Sequence, residues 1–516
     1  MSLLTEQPPA PKRLTTSYWP ADTAEPLLET TIGGALRQTA SAVPDQVGLV
    51  AAWPGQTTHR RWTFAQLLDE SERAAQALLG RFEPGERIAV WAPNIPEWLF
   101  VQFGAAPAGL TLVTVNPALR ARELAHVLGQ SRAVGLFMVP EYRGADQAAL
   151  LEEVRPRLLS LREVVLLTDW EPFAGSSWAD VRLPQVQPDD IAQMLYTSGT
   201  TGVPKGALLH HRGLTNAARL LARALGARVG EAWFNPLPLF HVGGIQQTLA
   251  SLQLQAKHVL CPVDPALMLE LIETERPAIT AATPTMIELL LRHPDFGRRD
   301  LSSLRIIQTG GMPAPADLVR RVESRLTTRV HIVYGQTEAC AITHAVRIDD
   351  PPEARVQTVG RPLPQVDVKI VHPHTGAILP LGAVGELCVR GYQVMTGYFE
   401  MPEATAATIE TAGWLHTGDL ATMDELGYCR IEGRLKEMII RGGENIFPAE
   451  IEAVLGTHPA VAAVAVVGVP DQLYGEQVAA CVQLRTGVLV SEDELRSLCL
   501  QHLARFKGAV PLALRR

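Results

Sequence analysis

The alternation of short apolar runs with amphipathic segments is the feature of this chain that most restricts its fold. Residues 64–80 place apolar side chains at helical spacing, and a short apolar run follows at 87–91. Similar runs of Val, Ile and Leu recur among helical segments, at 113–115, 164–167 and 304–308. Strands that alternate with helices in this way are typical of parallel sheets covered by helices. The sequence therefore predicts an α/β fold.

The sequence pattern changes after residue 355. Between about 356 and 432, short apolar runs are broken by Gly and Pro, and this pattern predicts a small barrel-like unit. A charged connection begins at 434, and residues 448–455 and 461–469 are typical of a helix and a strand of another domain. We expect the hinge between these domains near Lys436. The length of 516 residues agrees with about three domain-sized units.

Composition argues against several classes of protein. The chain carries 46 Lys and Arg against 54 Asp and Glu, so a net charge of −8 offers no basic surface for nucleic acid. Its longest apolar stretches, such as 460–469, are about half as long as a transmembrane helix requires. The first residues lack the apolar core of a signal peptide, and the six cysteines form no Cys-x-x-Cys pair that would indicate a zinc site or a disulfide framework. We therefore expect a cytoplasmic protein with no transmembrane segment and no nucleic-acid partner.

Residues 196–207 (YTSGTTGVPKGA) carry the strongest chemical motif. Glycines let the backbone approach an anion, hydroxyls donate hydrogen bonds to phosphate oxygens, and one lysine adds positive charge. The residues concerned are Thr197, Ser198, Gly199, Thr200, Thr201, Gly202, Lys205 and Gly206. A Walker A loop has Ser or Thr after its lysine, whereas Gly206 follows Lys205 here. The alternative is a solvated turn between strands, but the fixed spacing favours a phosphate-binding loop for ATP.

This loop resembles the signature of the adenylate-forming enzymes, which include acyl-CoA synthetases, luciferases and the adenylation domains of peptide synthetases. Four further motifs of that family follow in the family's order, at 334–338 (YGQTE), 413–419 (GWLHTGD), 433–440 (GRLKEMII) and 441–450 (RGGENIFPAE). The resemblance covers roughly residues 30 to 507. On these motifs the chain is identified as a member of the adenylate-forming family.

The resemblance implies a domain layout. A large N-terminal AMP-binding domain at 1–433 would contain two doubly wound sheets and a small β-barrel-like unit, with subregions at about 1–185, 186–355 and 356–433. A hinge at 434–437 would lead to a small α+β lid at 438–516. A homodimer is compatible with this layout.

The resemblance also implies roles for residues of the N-terminal domain. Glu338 corresponds to a Mg²⁺ ligand and Thr337 to a contact with the α-phosphate. Tyr334 would stack on adenine, with the neighbouring Gly335 in the same motif, and Gly311 and Met312 would line the base pocket. An ordinary helix cap is the alternative explanation of the Thr337–Glu338 pair.

Further positions are implied near the hinge and in the lid. Asp419 would accept hydrogen bonds from the ribose hydroxyls, and Arg434 would make a second nucleotide contact. An exposed turn aspartate is the alternative for Asp419. Lys436 matches the family's hinge position, where rotation of the lid exchanges adenylation for thioester formation. Two glycines of the lid, Gly442 and Gly443, would let the pantetheine arm of CoA pass close to the backbone.

The segment 236–244 bears on the choice of acid. His241 resembles the gate residue near the carboxylate in acyl- and aryl-CoA synthetases, although a lone histidine is otherwise a structural hydrogen-bonder. Amino-acid-activating relatives usually place an aspartate here, and a buried ammonium without a counter-charge is costly, so His241 argues against amino acids. Several apolar residues would suit a hydrocarbon chain, with ordinary core as the alternative, and they are Val242, Ile245, Met286, Ile287 and Leu290.

We therefore expect an ATP-dependent carboxylic acid:CoA ligase that activates a fatty acid through an acyl-adenylate, with Mg²⁺ as cofactor and ATP and CoA as co-substrates. AMP and pyrophosphate would be released. An aryl-acid:CoA ligase and a non-catalytic remnant that binds nucleotide or acyl-adenylate are the alternatives.

The family's lid carries a lysine that reaches the substrate carboxylate and the α-phosphate, and no equivalent is found in this sequence. The similarity runs through Lys507, and residues 508–516 contain no lysine. A truncation or a reading-frame change near Lys507 is the simplest explanation. Because loss of one charge-stabilising group commonly costs about 10² to 10³ in rate, we expect weak or absent adenylation with ATP binding retained.

Overall fold

The structure is a computed structural model that describes residues 13–56, 58–175, 181–197, 204–441, 444–472, 474–503 and 512–515. The chain divides into two compact units. The large unit comprises Trp19–Val368 and Val389–Leu415, and the C-terminal unit comprises Met1–Tyr18, Lys369–Cys388 and His416–Arg516. The predicted domain limits at 433 and 438 stay a prediction.

The strands of the described residues are β1 (Tyr18–Trp19), β2 (Val47–Ala51), β3 (Arg60–Thr63), β4 (Arg87–Trp91), β5 (Thr111–Val115), β6 (Gly135–Met138), β7 (Glu141–Tyr142), β8 (Ala145–Asp146), β9 (Glu163–Leu166), β10 (Ile191–Thr197), β11 (Lys205–His210), β12 (Trp233–Asn235), β13 (His258–Leu260), β14 (Ile279–Ala281), β15 (Ile306–Thr309), β16 (Arg329–Tyr334), β17 (His344–Ala345), β18 (Arg361–Pro362), β19 (Val366–Val371), β20 (Gly385–Gly391), β21 (Gly397–Tyr398), β22 (Leu415–Met423), β23 (Cys429–Arg434), β24 (Ile439–Arg441), β25 (Glu444–Ile446), β26 (Val461–Asp471), β27 (Gly475–Leu484) and β28 (Leu512–Arg515).

The α-helices are α1 (Ile32–Ala42), α2 (Phe64–Leu79), α3 (Pro96–Ala105), α4 (Ala121–Gln130), α5 (Gln147–Val154), α6 (Trp170–Ala174), α7 (His211–Ala224), α8 (Val242–Gln253), α9 (Pro265–Glu275), α10 (Pro284–Arg292), α11 (Ala316–Arg325), α12 (Pro352–Gln357), α13 (Pro402–Thr408), α14 (Pro448–Gly456) and α15 (Glu492–His502). Short 3-10 turns lie at Arg155–Arg157, Leu167–Asp169, Thr337–Ala339 and Leu435–Glu437.

Two mixed sheets form the framework of the large unit. The seven-stranded sheet has the order β21-β11-β10-β5-β4-β6-β9, in which β10, β5, β4, β6 and β9 are parallel. β11 pairs antiparallel with β10 and with β21, so β11 is the one strand of this sheet, among the described residues, that runs in the opposite direction. The nine-stranded sheet has the order β18-β17-β16-β15-β14-β12-β13-β2-β3 and is parallel from β16 to β2. Antiparallel strands close both of its edges. These arrangements confirm the predicted α/β fold.

Local signals explain where the elements begin. Helix α2 starts at Phe64 because the Thr63 hydroxyl accepts from the Gln66 backbone while the Gln66 side chain accepts from the Thr63 backbone. Its buried face carries Phe64, Leu67 and Leu78, as the helical spacing predicts. The apolar run at 87–91 is the buried strand β4.

The remaining strands form two further sheets and a hairpin. One five-stranded sheet has the order β1-β19-β20-β22-β23. In the C-terminal unit, β25, β24, β27 and β26 form a sheet in that order, and β28 pairs parallel with β27. Helices α14 and α15 contribute Ile451, Leu455 and Leu495 to its core. Across the described residues, no helix combines the length and the apolar character needed to cross a membrane.

Candidate active site

The residues predicted to bind adenine follow neighbouring parallel strands of the large unit. β15 runs into Gly310 and Gly311, and β16 beside it ends at Tyr334. A Cβ on Gly310 would lie 2.5 Å from the Val333 carbonyl oxygen, so the segment after β15 packs against β16 without space for a side chain. Gly311 has φ +78°, a conformation that favours glycine. Ligands of open α/β sheets bind outside the carboxyl ends of the strands, which is where these residues lie.

The predicted base pocket also contains exposed apolar surface. Met312 is 49% exposed and follows Gly311 directly. The Tyr334 ring packs edge-on against His344 at 5.6 Å between ring centres, which fixes its orientation at the end of β16. A planar ring held in this way is suited to stacking on a base.

Two hydroxyls hold the carboxylate of Glu338. The Thr197 hydroxyl donates to Glu338 Oε1 at 3.1 Å, and the Tyr398 hydroxyl donates to the same oxygen at 2.8 Å. These donors belong to β10 and β21, whereas a helix cap would bond to its own turn. The helix-cap alternative therefore does not describe Glu338.

A tight backbone turn places Glu338 after β16. A Cβ on Gly335 would lie 1.8 Å from the Ala341 carbonyl oxygen, so no side chain fits at Gly335. Cys340 and Ala341 have φ angles of 46° and 95°, and the Ala341 N–H donates to the Gln336 carbonyl at 3.2 Å. Thr337 begins the 3-10 turn that carries Glu338. The glycine of the YGQTE motif is thus required by the close approach of two backbone segments.

The predicted phosphate-binding loop joins two adjacent antiparallel strands. β10 ends at Thr197 and β11 begins at Lys205, and these two residues face each other in the ladder. The Lys205 Nζ lies 4.5 Å from the centre of the Tyr398 ring, whose hydroxyl bonds Glu338. The described ends of the loop therefore contact Glu338 directly, through Thr197, and through Tyr398, beside Lys205. We call these four residues, Thr197, Lys205, Glu338 and Tyr398, the Glu338 cluster. The other predicted loop residues lie outside the described residues, and these are Ser198, Gly199, Thr200, Thr201 and Gly202.

Tyr398 is a residue of this cluster that sequence reasoning did not identify. β21 pairs antiparallel with β11, with Tyr398 opposite Ala207, and this pairing brings the phenol beside Lys205. Burial and the nearby Glu338 carboxylate raise the pKa of Tyr398, so its hydroxyl stays protonated and donates. The only local signal is a Gly-Tyr pair, which does not by itself reveal the strand pairing.

Replacing Tyr398 by Phe removes the hydroxyl and keeps the ring over Lys205. The Glu338 carboxylate then loses one of its two hydroxyl donors, and we expect kcat/KM for adenylation to fall about tenfold, as for one hydrogen bond to a charged group. ATP–pyrophosphate exchange measures this, with Tyr142→Phe in the β7–β8 hairpin as the matched control. A rate for Tyr398→Phe within about twofold of the control would exclude this role.

The segment before α8 is held by one buried side chain. Asn94 donates to the carbonyls of Leu237 at 2.9 Å and Cys261 at 3.0 Å, and it accepts from the Leu239 N–H at 2.9 Å. Asn94 follows β4, whereas Leu237 and Cys261 follow β12 and β13. Asn94 therefore connects the segment that precedes His241 to the ends of strands in both the seven-stranded and the nine-stranded sheet. The sequence alone did not single out Asn94, because its hydrogen-bond partners are distant along the chain.

His241 lies at the start of α8 with an exposed side chain. The Thr114 hydroxyl donates to the Phe240 carbonyl at 2.9 Å, and the Phe240 and His241 rings lie 4.5 Å apart. The His241 side chain makes no hydrogen bond that caps α8 in the described structure, and the first turn of α8 contains no acidic residue. Among the apolar candidates for an acyl pocket, Met286, Ile287 and Leu290 pack in the core of the nine-stranded sheet, and Ile245 is fully buried. These four positions agree with the alternative of ordinary core.

Asn94→Ala is expected to lower the free energy of unfolding by roughly 3 kcal/mol, because three hydrogen bonds are lost and their buried partners stay unsatisfied. The segment before His241 also loses its anchor, so the KM for the acid should rise. Urea unfolding and steady-state kinetics measure the two effects. Asn116→Ala is the control, since Asn116 makes an exposed turn contact to Ala118, and a loss no larger than in this control would contradict the anchor.

Asp419 and Arg434 form an ion pair in the C-terminal unit. They face each other on β22 and β23, and Arg434 Nε lies 2.7 Å from Asp419 Oδ1. Asp419 is 4% exposed, so the alternative of an exposed turn aspartate is wrong. Gly418 before it has φ +69°, a conformation suited to glycine. Their predicted contacts with the ribose and nucleotide stay a prediction.

The predicted hinge and CoA positions follow in the same unit. Lys436 is exposed in the 3-10 turn after β23. Gly442 and Gly443 lie outside the described residues. The roles given to these three residues stay predictions.

Comparison with known proteins gives the class of the chain. The sequence profile described as AMP-binding enzyme matches residues 36–399, and that of the AMP-binding enzyme C-terminal domain matches residues 450–514. The second match continues past Lys507, where the similarity was expected to end. The chain belongs to the AMP-binding enzyme family.

Individual relatives narrow the class. The chain is 40% identical to the putative acyl-CoA synthetase YngI of Bacillus subtilis (strain 168), over 93% of this chain and 92% of the relative. It is 35% identical to the mitochondrial medium-chain acyl-CoA ligase ACSF2 of Danio rerio, over 97% of this chain and 88% of the relative. With this family and fold, the chain is an acid–thiol ligase that uses ATP and CoA as co-substrates.

Solved structures share the fold over nearly the whole chain. ATP-bound MatB from Rhodopseudomonas palustris has a TM-score of 0.86 and 25% identity, and the alignment covers 95% of both chains. The anthranilate CoA ligase AuaEII, solved with anthranoyl-AMP, has a TM-score of 0.84 and 26% identity over 96% of this chain and 94% of that one.

Proposed function

We propose that this ligase activates a fatty acid, as an acyl-adenylate that is then transferred to CoA. The proposal for the acid depends on one observation at the start of α8. His241 lies at the N-cap of this helix, and the first turn contains no acidic residue. A substrate ammonium would find no counter-charge there, and burying it unpaired is costly. Relatives named as acyl-CoA synthetase and medium-chain acyl-CoA ligase support an aliphatic acid.

In the first half-reaction, a carboxylate oxygen of the acid forms a bond to the α-phosphorus of ATP, and pyrophosphate leaves. The protein aligns the two anions and offsets their charge. Lys205 and the Thr197 hydroxyl lie at the two ends of the phosphate-binding loop. His241 would orient the carboxylate, because Asn94 and Thr114 fix the segment that leads to it.

The Glu338 carboxylate is suited to Mg²⁺. It is a hard oxygen donor at the end of β16, oriented by two hydroxyls and only partly buried. Mg²⁺ bound by Glu338 would supply positive charge to the phosphate oxygens. Thr337, next to it, would contact the α-phosphate, and Tyr334 would stack on adenine. Asp419 would bind the ribose hydroxyls, with Arg434 beside it.

In the second half-reaction, the CoA sulfur forms a bond to the acyl carbon and AMP leaves as the C–O bond breaks. Rotation at Lys436 would exchange the two arrangements of the lid. Gly442 and Gly443 would let the pantetheine arm pass close to the backbone.

An aryl acid is the second candidate substrate. The fold similarity to an anthranilate CoA ligase at 26% identity favours it specifically. An aryl acid does not require a pocket long enough for a hydrocarbon chain. The exposed His241 is compatible with a fatty acid and with an aryl acid.

ATP–pyrophosphate exchange with short, medium and long straight-chain acids, and with benzoate and anthranilate, tests the proposal. We expect exchange with at least one group of aliphatic acids and trapping of the same acyl groups by hydroxylamine. Thioester formation with CoA is then measured on the acids that exchange. Exchange with the aryl acids alone would replace the fatty-acid proposal by the second candidate. Exchange with no acid would contradict both and favour the third alternative, a protein that binds nucleotide or acyl-adenylate without catalysis.

A further inference from the structure

Three side chains of the C-terminal unit that the proposed reaction does not use converge on one point. Glu386 and Cys388 are two residues apart on β20, so they share one face of the strand. His416 lies on β22, the next strand in the sheet. One ligand atom from each residue lies within 4.8 Å of the other two. We propose that Glu386, Cys388 and His416 form a binding site for a thiophilic divalent cation, for which Zn²⁺ is the best match.

The distances from His416 Nδ1 to the other two ligand atoms are close to those of a metal site. His416 Nδ1 lies 3.6 Å from Cys388 Sγ and 2.8 Å from Glu386 Oε2. Zinc bonds of about 2.0 to 2.3 Å at tetrahedral angles place ligand atoms roughly 3.3 to 3.6 Å apart. The sulfur–nitrogen distance already has this value. The oxygen–nitrogen distance has to open by about half an ångström, which rotation of one carboxylate achieves.

The chemistry of the donors selects the cation. A thiolate with an imidazole and a carboxylate suits Zn²⁺ or Co²⁺, whereas Mg²⁺ prefers oxygen ligands alone. Three protein ligands leave a fourth tetrahedral position for water. Cys388 and Glu386 are buried, and the His416 side chain is 28% exposed, so the cation can enter past the imidazole. On binding, the Cys388 thiol and the protonated His416 imidazole would each release one proton to solvent, so that a thiolate and a neutral Nδ1 hold the cation.

The site is linked to the turn that carries Asp419. The second oxygen of Glu386 accepts a hydrogen bond from the Gly418 N–H at 3.2 Å. A metal that fixes the Glu386 carboxylate would therefore also fix the backbone directly before Asp419. We expect Zn²⁺ to raise the melting temperature of the protein, because binding to the folded state alone stabilises it.

A metal-free ion pair is the competing explanation. Hydrogen bonds with Cys388 and Glu386 raise the pKa of His416, and the protonated imidazole pairs with the Glu386 carboxylate. In the ion pair the Cys388 sulfur stays a thiol that only forms a hydrogen bond with His416, whereas a bound cation requires it as a thiolate ligand, and this difference separates the two explanations. The sequence shows no zinc signature because the three ligands come from two strands and no Cys-x-x-Cys pair is involved.

Titration of the metal-free full-length chain with Co²⁺ tests the proposal by absorption spectroscopy, because a cobalt–thiolate bond gives a charge-transfer band in the near ultraviolet. We expect one Co²⁺ per chain, the band, and loss of the band when Zn²⁺ displaces Co²⁺. Cys388→Ala should abolish the band. Cys429→Ala, which removes another buried thiol, and Cys481→Ala, which removes an exposed one, should retain it.

A second variant keeps the test independent of Cys388. His416→Gln should weaken Co²⁺ binding by about tenfold or more while the thiolate stays. Circular dichroism shows which variants are folded. Absence of the band in the parent chain would overturn the proposal and leave the ion pair. A band that persists in folded Cys388→Ala would also overturn it, because another thiol would then bind the cation.

Discussion

Glu338→Gln is expected to reduce the rate of adenylation by a factor of about 10² to 10³. The amide keeps the size of the side chain and still accepts from the Thr197 and Tyr398 hydroxyls, so the local structure should persist. It removes the negative charge that we propose holds Mg²⁺ at the phosphates. ATP–pyrophosphate exchange at several Mg²⁺ concentrations measures the loss, which should shrink as the Mg²⁺ concentration rises.

Glu403→Gln is the matched control for this experiment. Glu403 is exposed in the first turn of α13, and its replacement should leave the exchange rate within about twofold of the parent, as is usual for an exposed surface position. The melting temperature of both variants should stay near that of the parent. Full activity of Glu338→Gln at low Mg²⁺ concentration would remove Glu338 from the proposed metal site.

Gly335→Ala is expected to affect both stability and activity. The added Cβ would lie 1.8 Å from the Ala341 carbonyl oxygen, so one of the two backbone segments has to move. Overpacking of this kind costs about 3 kcal/mol or more of the free energy of unfolding. The displaced segment carries Glu338, and a shift of about 1 Å in a catalytic group lowers the rate by about 10². Urea unfolding and pyrophosphate exchange measure the two effects separately.

Gly129→Ala provides the comparison for Gly335→Ala. Gly129 lies in α4, and a Cβ there meets no atom within 4 Å. Alanine in a helix is favoured over glycine by about 0.8 to 1 kcal/mol, so this variant should be slightly more stable and fully active. If Gly335→Ala matched it in stability, the close approach of the two backbone segments would not exist in solution.

The elements of the fold are predicted well where the signal is local. The helix predicted at 64–80 is Phe64–Leu79, because the capping interaction of Thr63 with Gln66 marks its start. The strand predicted at 87–91 is Arg87–Trp91. Both depend on residues within one turn or one strand of each other. The pairing of the strands into two mixed sheets depends on distant contacts, and the family resemblance supplied that part.

The contacts within the candidate site were harder to predict. The motifs named Thr197, Lys205 and Glu338, but motif order does not reveal that the Thr197 hydroxyl bonds Glu338. Tyr398 is 60 residues from Glu338, and Asn94 is 145 residues from Leu239. No periodicity or local spacing links side chains over such separations. The buried state of Asp419 was missed for the same reason, since its partner Arg434 lies on the next strand.

The hydrogen bonds of Asn94 have a consequence for how the chain acquires its activity. Asn94 follows a strand of the seven-stranded sheet, and its three partners follow strands of the nine-stranded sheet. A folding intermediate in which only one sheet has formed therefore has no ordered segment before His241. Contacts of such long sequence separation form late because the loop-closure entropy has to be overcome first. Recognition of the acid should therefore appear during refolding only after both sheets have formed.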